Sequence, residues 1–204
     1  MTENFNNLTV IILAAGKGKR MKSELPKVLH EICFRPLIYY ILKAAYALNP
    51  KNVFVVAGFK SELVKSYIEK FFKKSIIVYQ KKQQGTADAV KSTIIYQKEF
   101  AQNCLILTGD MPLITPDVLK DMVNYKKNSG CSALLGTAIL ANPYGYGRII
   151  RDSNGKILKI VEETDASFEA RQIKEINTSI YCFDSKLLFK YIKDIKPNNI
   201  LGEL

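Results

Sequence analysis

The stretch VIILAAGKGKRMKSELPK, Val10 to Lys27, decides how the rest of the chain is interpreted. It begins as an apolar run and changes abruptly into small and basic residues, with Glu24 as its one acid. An apolar run without polar alternation is typical of a strand whose two faces are both buried in a parallel sheet. We therefore predict a strand over residues 8–15 that leads directly into a basic glycine loop.

The hydrophobic patterns that follow predict alternating strands and helices. Helices are predicted at 35–48, 61–74 and 86–98, and strands at 52–59, 76–80 and 104–110. Thr115-Pro116-Asp117 is a strong helix start, because a capping hydroxyl precedes a proline and an acid. This alternation favours a Rossmann-like, mostly parallel sheet flanked by helices.

The later part of the chain is predicted to be rich in strands. Strand patterns lie at 132–140 and 176–184, and 147–163 is predicted to form a hairpin that turns at Asn154-Gly155. The second of these strands is followed by a short helix pattern. Because no linker interrupts the sequence, we predict one α/β domain over residues 1–204.

Composition limits the class of protein and its partners. The 204 residues carry a net charge of +11, and residues 1–100 hold most of it, with 17 Lys and Arg against 7 Asp and Glu. Such a basic half can attract nucleic acid, a membrane surface or a small polyanion, or it can be solvated lysine surface. No apolar run is long enough to cross a bilayer, and the N-terminus lacks a leader pattern, so we expect a cytoplasmic protein.

The four cysteines do not indicate a metal or redox site. Cys33, Cys104, Cys131 and Cys182 are widely spaced and match no zinc or disulfide-exchange motif. We expect them to be small buried hydrophobic residues.

The basic glycine loop predicts a nucleoside triphosphate site. Ligands of parallel sheets bind at the carboxyl ends of the strands, where Gly16 and Gly18 lie. Glycine lets backbone N–H groups approach a phosphate, and Arg20 and Lys27 supply positive charge. Two common phosphate motifs are excluded, because Met21 stands where either a dinucleotide fingerprint or a P-loop requires glycine.

The segment LAAGKGKRMKSELPKVLH, 13–30, resembles the L-x-A-G-x-G-[TS]-R-M-x(n)-P-K signature of sugar-nucleotide pyrophosphorylases. More narrowly, it resembles the uridylyltransferase domain of the bacterial GlmU family, with Lys19 in place of the usual Thr or Ser. Further blocks agree in the same order: QKKQQGTADAV (80–90), LTGDMPLIT (107–115), NPYGYGRIIRD (142–152) with IVEETDA (160–166), and RQIKEINTSIY (171–181). The resemblance covers nearly the whole chain and implies a nucleotide-diphospho-sugar transferase fold.

The resemblance also implies a reaction and its ligands. UTP and N-acetylglucosamine 1-phosphate would give UDP-N-acetylglucosamine, a precursor of peptidoglycan and lipopolysaccharide, and pyrophosphate. The transfer is direct, so no protein nucleophile is needed, and Mg²⁺ is the implied cofactor. Neither nucleic acid nor a membrane is expected as a partner, and the oligomeric state stays open.

The family's functional positions are carried over residue by residue. The cations Arg20 and Lys27 match catalytic phosphate-binding residues, and Asp110 matches the Mg²⁺ ligand. Gly147, Glu162 and Asn177 match the sugar-phosphate site; Glu163 is adjacent, but the register of VE-x-x-DA favours Glu162. The nucleotide-binding positions are Leu13, Ala14, Ala15, Gly16, Lys27, Gln80, Gly85, Thr86 and Gly109, of which Gln80, Gly85 and Thr86 match the uracil-recognising ones.

Departures from the family pattern leave alternatives open. Thr108 replaces a tyrosine and Ser179 a glycine, and KPNNILGEL, 196–204, resembles a segment after which the family continues. We therefore expect a domain that lacks its C-terminal end, its second Mg²⁺ ligand, and the β-helix acetyltransferase domain that provides trimerisation. The alternatives are an inactive nucleotide-binding relic, or a related sugar-1-phosphate nucleotidyltransferase with another base or sugar. A nucleic-acid-binding module rests only on the basic half and lacks the interleaved aromatic residues of RNA-binding modules.

Overall fold

The computed structural model describes residues 5–196, and within them the chain forms two sheets with helices between the strands. The strands are β1 Leu8–Ala14, β2 Glu31–Ile32, β3 Arg35–Pro36, β4 Asn52–Ala57, β5 Ile76–Tyr79, β6 Asn103–Thr108, β7 Ala133–Ile139, β8 Arg148–Arg151, β9 Ile157–Val161 and β10 Glu175–Asp184. The α-helices are α1 Leu37–Tyr46, α2 Ser61–Phe71, α3 Thr86–Lys91, α4 Pro116–Ser129, α5 Phe168–Gln172 and α6 Ser185–Tyr191.

One half of the main sheet is parallel, in the order β5-β4-β1-β6. β1 lies at its centre, with Leu13 opposite Val56 of β4 on one side and Thr108 of β6 on the other. Crossover helices connect these strands, as a parallel sheet requires. The predicted mostly parallel, Rossmann-like sheet is therefore confirmed.

The other half of the sheet is antiparallel and is organised by the long strand β10. β10 runs antiparallel to β6, with Tyr181 opposite Ile106, and also pairs with β7 and β8. β8 and β9 form the predicted hairpin, and Gly155 in its turn has φ +78°, a conformation that favours glycine. The strand-rich late portion of the chain thus extends the sheet rather than forming a separate layer.

The sheet separates two hydrophobic cores, one on each face. Residues of α1, α2 and α4, such as Ile41, Ile68 and Leu119, pack on one face. Residues of α3 and α6, such as Val90 and Phe189, pack on the other. Helices therefore cover both faces, as the uninterrupted apolar strands predict.

Two sequence predictions need correction, and three short elements were not predicted. The predicted helix 86–98 is α-helical only to Lys91 and continues as a 3₁₀ helix, Ser92–Glu99. Cys104 and Cys182 are buried as expected, but Cys33 is exposed and Cys131 is half-buried. The two-residue strands β2 and β3 and the short helix α5 were not predicted.

Two expectations concern the chain ends and membranes. The segment resembling the family's NN…GE motif lies outside the described residues, apart from Lys196. Within residues 5–196, no helix combines the length and the apolar composition that a membrane span requires.

Candidate functional site

The carboxyl ends of the parallel strands meet at one edge of the sheet, where hydrogen bonds join their loops. Gly109 N–H donates to the carbonyl of Leu13 at 2.8 Å, and Phe59 N–H donates to the carbonyl of Ala15 at 3.0 Å. Gln80 N–H donates to the carbonyl of Ala57 at 2.8 Å. The predicted nucleotide segment therefore lines this edge, with Ala14 and Ala15 buried, Leu13 half-buried and Gly16 exposed.

An ion pair joins the segment that follows the basic loop to the segment that follows β6. Lys27 Nζ contacts Asp110 Oδ2 directly, and both side chains are partly exposed. Lys27 starts a 3₁₀ helix, Lys27–Leu29, and Asp110 follows β6 by two residues. The structure thus brings together the predicted phosphate-binding cation and the predicted metal ligand.

Two glycines allow this close approach. Gly18 has φ +68°, and a Cβ placed on it would lie 2.7 Å from Lys27 Cβ. A Cβ on Gly109, which is buried, would lie 2.9 Å from Val28 Cγ1. Any side chain at either position would therefore displace the segment that carries Lys27.

Arg20 does not share this contact. It is exposed and makes no hydrogen bond or ion pair with another residue in the part of the chain that the structure describes. The acid of the loop, Glu24, instead pairs with Lys60 at 3.1 Å and with Lys17 at 3.9 Å. The hydrogen bond and charge of Lys60, with the charge of Lys17, lower the pKa of Glu24.

The predicted uracil-recognising residues form a compact turn before α3. Gln80 is buried, and its Nε2 donates to the carbonyl of Gly85 at 3.2 Å and to Asp88 Oδ2 at 2.7 Å. Gly85 has φ +104°, and Thr86 is the exposed first residue of α3. The Gln80 amide nitrogen thus holds the turn that leads into α3.

The three predicted sugar-phosphate residues lie close to one another. A Cβ on Gly147 would lie 3.0 Å from Glu162 Oε1, so Gly147 makes room for this carboxylate. Asn177 N–H donates to the carbonyl of Gly147 at 2.8 Å. The Asn177 side chain is oriented by Tyr181, to whose hydroxyl it donates at 2.9 Å, and it accepts from Ser179 N–H at 2.9 Å.

Sheet register places these residues at the same edge as Asp110. Tyr181 of β10 lies opposite Ile106 of β6, and the two strands are antiparallel. Residues that precede Tyr181, including Asn177, therefore lie beyond the carboxyl end of β6, where Asp110 is found. One edge of the sheet carries all three groups of predicted site residues.

The two adjacent acids, of which the sequence register favours Glu162 as the sugar-site residue, have different partners in the structure. Glu163 accepts from the buried Arg148 NH2 at 2.8 Å and from Gly145 N–H at 3.1 Å, whereas Glu162 lies beside Gly147. The Arg148 hydrogen bond, followed by that of the Gly145 backbone, lowers the pKa of Glu163.

Sequence reasoning assigned no role to three residues of this region. Asp88, Arg148 and Glu163 hold the turns that carry predicted ligand residues, and none matches a ligand-binding position of the motif. The signal available for Arg148 and Glu163 was two opposite charges beside predicted sugar-site residues. Ser179, where the family has glycine, adopts φ +60° in the irregular part of β10.

Asp110 is the candidate metal ligand, and the number of other possible protein ligands limits the kind of cation that it can hold. Among residues 5–196, no group of three or more His, Cys, Asp or Glu residues could hold a metal. A single carboxylate at a phosphate site fits Mg²⁺, which takes its other oxygens from substrate phosphates and water. The donor set therefore fits a cation that arrives with a nucleotide and does not fit an all-protein cage.

Comparison with known protein families gives a match over almost the entire chain. The family model described as nucleotidyl transferase matches residues 9–201. The bifunctional protein GlmU of Pelotomaculum thermopropionicum is 44% identical over 197 residues, which is 97% of this chain and 42% of that protein. The protein of the same name from Streptococcus mutans is 44% identical over 193 residues, or 95% of this chain and 41% of that protein.

Solved structures support the same fold. A UDP-glucose pyrophosphorylase complexed with UDP-glucose superposes with a TM-score of 0.76 at 19% identity, over 96% of this chain and 82% of that one. This similarity bears on the fold alone. The chain spans about two-fifths of the length of the curated relatives that it matches.

Proposed function

Because this chain belongs to the nucleotidyl transferase family, we propose that it transfers a uridylyl group from UTP to N-acetylglucosamine 1-phosphate. The products are UDP-N-acetylglucosamine and pyrophosphate. The main observation in support of the proposal is the Lys27–Asp110 ion pair at the carboxyl end of β1. Gly147 and Asn177 lie at the same edge of the sheet.

The proposed reaction is a direct displacement at phosphorus. A phosphate oxygen of the sugar phosphate attacks the α-phosphorus of UTP, and the bond between that phosphorus and the bridging oxygen breaks. The electron pair of that bond leaves with pyrophosphate. Because the sugar phosphate itself attacks the phosphorus, no protein group forms a covalent intermediate. Catalysis then consists of positioning and of stabilising negative charge, as in other phosphoryl transfers.

The cations act where negative charge develops. Lys27 lies at the glycine loop and can turn from Asp110 to a triphosphate oxygen, because its side chain is partly exposed. Arg20 is exposed beside the same loop and has no competing partner among residues 5–196. Backbone N–H groups of the loop can approach the phosphates at Gly16, where no neighbouring atom lies within 4 Å of a Cβ position.

Asp110 would hold Mg²⁺ through its carboxylate. When bound, the ion would neutralise negative charge on the triphosphate. The position of Asp110 beside Lys27 fits this role, since a cation held by Asp110 would act on the same triphosphate as the Lys27 ammonium.

Base and sugar selection are assigned to separate turns. The oxygen of the Gln80 amide can accept from the uracil N3–H, since the nitrogen of that amide already holds Gly85 and Asp88. Glu162 and Asn177 can hydrogen-bond the sugar hydroxyls and the acetamido group. Gly147 leaves room for the Glu162 carboxylate beside the sugar.

A pyrophosphate-release assay tests this proposal. The chain is incubated with Mg²⁺ and each combination of four nucleoside triphosphates and several hexose and hexosamine 1-phosphates. UTP with N-acetylglucosamine 1-phosphate is expected to give the fastest release. Faster release with another base or sugar would assign a different specificity, and nucleotide-induced thermal stabilisation without any release would identify a binding protein that does not turn over.

Asp110→Asn is the matched test of the site. We expect pyrophosphate release to fall by on the order of 10²-fold or more, because the carboxylate charge that attracts Mg²⁺ is lost. Asp117→Asn is the control, since Asp117 is an exposed acid of α4 whose one ion pair with residues 5–196 is to Lys120, at 3.3 Å. Equal activity of the two variants would remove Asp110 from the mechanism.

A further inference from the structure

A buried arginine lies directly behind the predicted sugar-phosphate site. Arg148, the first residue of β8, is 2% exposed, and it follows Gly147 in the chain. Its NH2 group donates to Glu163 Oε2 at 2.8 Å, and its NH1 group donates to the carbonyl of Tyr146. A buried guanidinium requires a counter-charge, and Glu163 supplies it.

Glu163 collects donors from three separate segments. Besides Arg148, it accepts from the backbone of Gly145 at 3.1 Å, within the loop that leads to Gly147. Arg171, at the C-terminal end of α5, lies 3.5 Å from Glu163 Oε1 and donates to the Glu163 carbonyl at 3.3 Å. One carboxylate thus joins the loop 143–147, the start of β8 and helix α5.

Two members of this network, Arg148 and Glu163, adjoin predicted sugar-site residues in the chain. Arg148 follows Gly147, Glu163 follows Glu162, and the carbonyl of Gly147 accepts from Asn177 N–H. A movement of the Glu163 carboxylate would therefore shift the backbone on both sides of the site. None of the three charged residues needs to contact the sugar to have this effect.

We propose that Arg148, Glu163 and Arg171 are positioning residues that hold the loop 143–147 and Glu162 in register for the sugar phosphate. This inference rests on the proposed function, because it assigns the sugar phosphate to Gly147, Glu162 and Asn177. It goes beyond that function by locating the control of sugar-phosphate affinity in charges that touch no substrate.

The energetics of buried ion pairs indicate that this network positions the neighbouring loops rather than stabilising the fold. A buried ion pair contributes little net stability, because desolvation of both charges offsets their attraction. Its fixed geometry nevertheless allows one arrangement of the groups that it joins. The lowered pKa of Glu163 agrees with a carboxylate that remains charged in this arrangement.

The chain offers a matched control in a second arginine–glutamate pair on the same strand. Arg151 donates to Glu175 through Nε at 2.8 Å and through NH2 at 2.6 Å. This pair also joins two strands, β8 and β10, but neither residue bonds the loop 143–147. Glu163→Gln and Glu175→Gln remove the same charge from carboxylates of similar exposure, each paired with an arginine of β8.

Steady-state kinetics of the 204-residue chain separate the two variants. For Glu163→Gln we expect the KM for N-acetylglucosamine 1-phosphate to rise by about tenfold or more, a change of about 1.4 kcal/mol in binding. The KM for UTP should change by less than twofold. Glu175→Gln should leave both KM values within twofold, even where its melting temperature falls as much as that of Glu163→Gln.

Arg171→Gln keeps the inference testable if Glu163→Gln does not fold. Arg171 is half exposed, so its removal leaves no buried charge unpaired. We expect a smaller rise, about threefold, in the KM for the sugar phosphate alone. Unchanged or equally raised KM values for both substrates in the folded variants would overturn the positioning role, whereas absence of pyrophosphate release from the unsubstituted chain would overturn the proposed function.

Discussion

At the scale of single residues, the site depends on how near the backbone of the glycine loop comes to Lys27. Gly18 combines two requirements, a φ of +68° and a Cβ position 2.7 Å from Lys27 Cβ. The contacted atom belongs to the stem of the lysine near its backbone, so rotation of the ammonium end cannot relieve the clash. Lys27 can therefore keep its position, and its ion pair with Asp110, only if residue 18 has no side chain.

Gly18→Ala is expected to weaken nucleotide binding more than it destabilises the fold. The added methyl group must displace Lys27, so we expect the KM for UTP to rise by about tenfold, a loss of about 1.4 kcal/mol. The left-handed φ itself costs an alanine on the order of 1 kcal/mol of folding free energy. Pyrophosphate-release kinetics and urea unfolding of the same preparation measure the two effects separately.

Gly130→Ala provides the control for backbone strain. Gly130 ends α4 with φ +65°, but nothing lies within 4 Å of its Cβ position. The variant should lose a similar amount of folding free energy and retain the KM for UTP. If both variants raise this KM equally, strain transmitted through the fold explains the effect, and the contact with Lys27 does not.

At the scale of elements, the antiparallel half of the sheet is joined by charged pairs as well as by backbone hydrogen bonds. Arg151 of β8 and Glu175 of β10 form a two-point contact, and Arg151 NH1 also holds the carbonyl of Gly155 in the β8–β9 turn. The hydrogen bond from Arg151 is the main cause of a lowered pKa at Glu175. This pair links the stability of the hairpin to pH.

Acid is expected to destabilise the protein partly through Glu175. Because its folded-state pKa is below the reference value of 4.5, its contribution is present above about pH 4.5 and is lost as pH falls through the folded-state pKa. Glu175→Gln should therefore lower the free energy of unfolding at pH 7 and flatten its decline below pH 4.5. Urea unfolding at a series of pH values measures both effects.

Glu99→Gln is the control for this pH dependence. Glu99 is exposed at the end of the 3₁₀ helix, and its side chain pairs with no residue from 5 to 196. A pH profile of Glu175→Gln parallel to those of Glu99→Gln and the unsubstituted chain would show that the Arg151 pair does not contribute.

The elements also show why some of the fold could be predicted and some could not. Two apolar runs, Val10 to Leu13 and Val53 to Val56, form strands with buried side chains on both faces of the sheet. Their strands could be predicted because an uninterrupted apolar run is typical of such a position. The strands β2 and β3 have two residues each and depend on the left-handed turn at Cys33 and Phe34, for which the sequence contains no glycine signal.

The site shows the same division between local pattern and long-range contact. Lys27 and Asp110 were predicted to be site residues from their match to the family motif, and their ion pair shows that they lie together. Arg148 and Glu163 were missed because their pairing connects β8 to a turn fifteen residues later. Single-sequence patterns therefore identify strands and loops better than they identify the side chains that hold loops in place.

At the scale of the whole molecule, two cysteines on adjacent strands can be used to detect exposure of the two hydrophobic cores. Cys182 of β10 packs in the core on the α1 and α4 side, whereas Cys104 of β6 packs in the core on the α3 and α6 side. Both are fully buried, and burial raises the pKa of the Cys104 thiol and raises that of Cys182 to about 12. Neither thiol can react while the sheet is covered on both faces.

Thiol labelling is therefore expected to proceed in two phases. At pH 8 the exposed Cys33 and the half-buried Cys131 should react with an aromatic disulfide reagent in the native protein, and the two core thiols only after unfolding. UTP with Mg²⁺ at about 100 times its Kd stabilises the native state by about 2.7 kcal/mol and should slow the second phase roughly a hundredfold. Mass spectrometry of the labelled protein identifies the order of reaction.

The relation between Cys104 and Cys182 tests how the two halves of the sheet unfold. β6 and β10 are adjacent and antiparallel, with Cys182 opposite Leu105, so separation of these strands exposes both cores together. If unfolding is cooperative, the two thiols should react at the same rate and respond equally to UTP. Faster labelling of Cys182 that is insensitive to UTP would show that the antiparallel half opens without the parallel half.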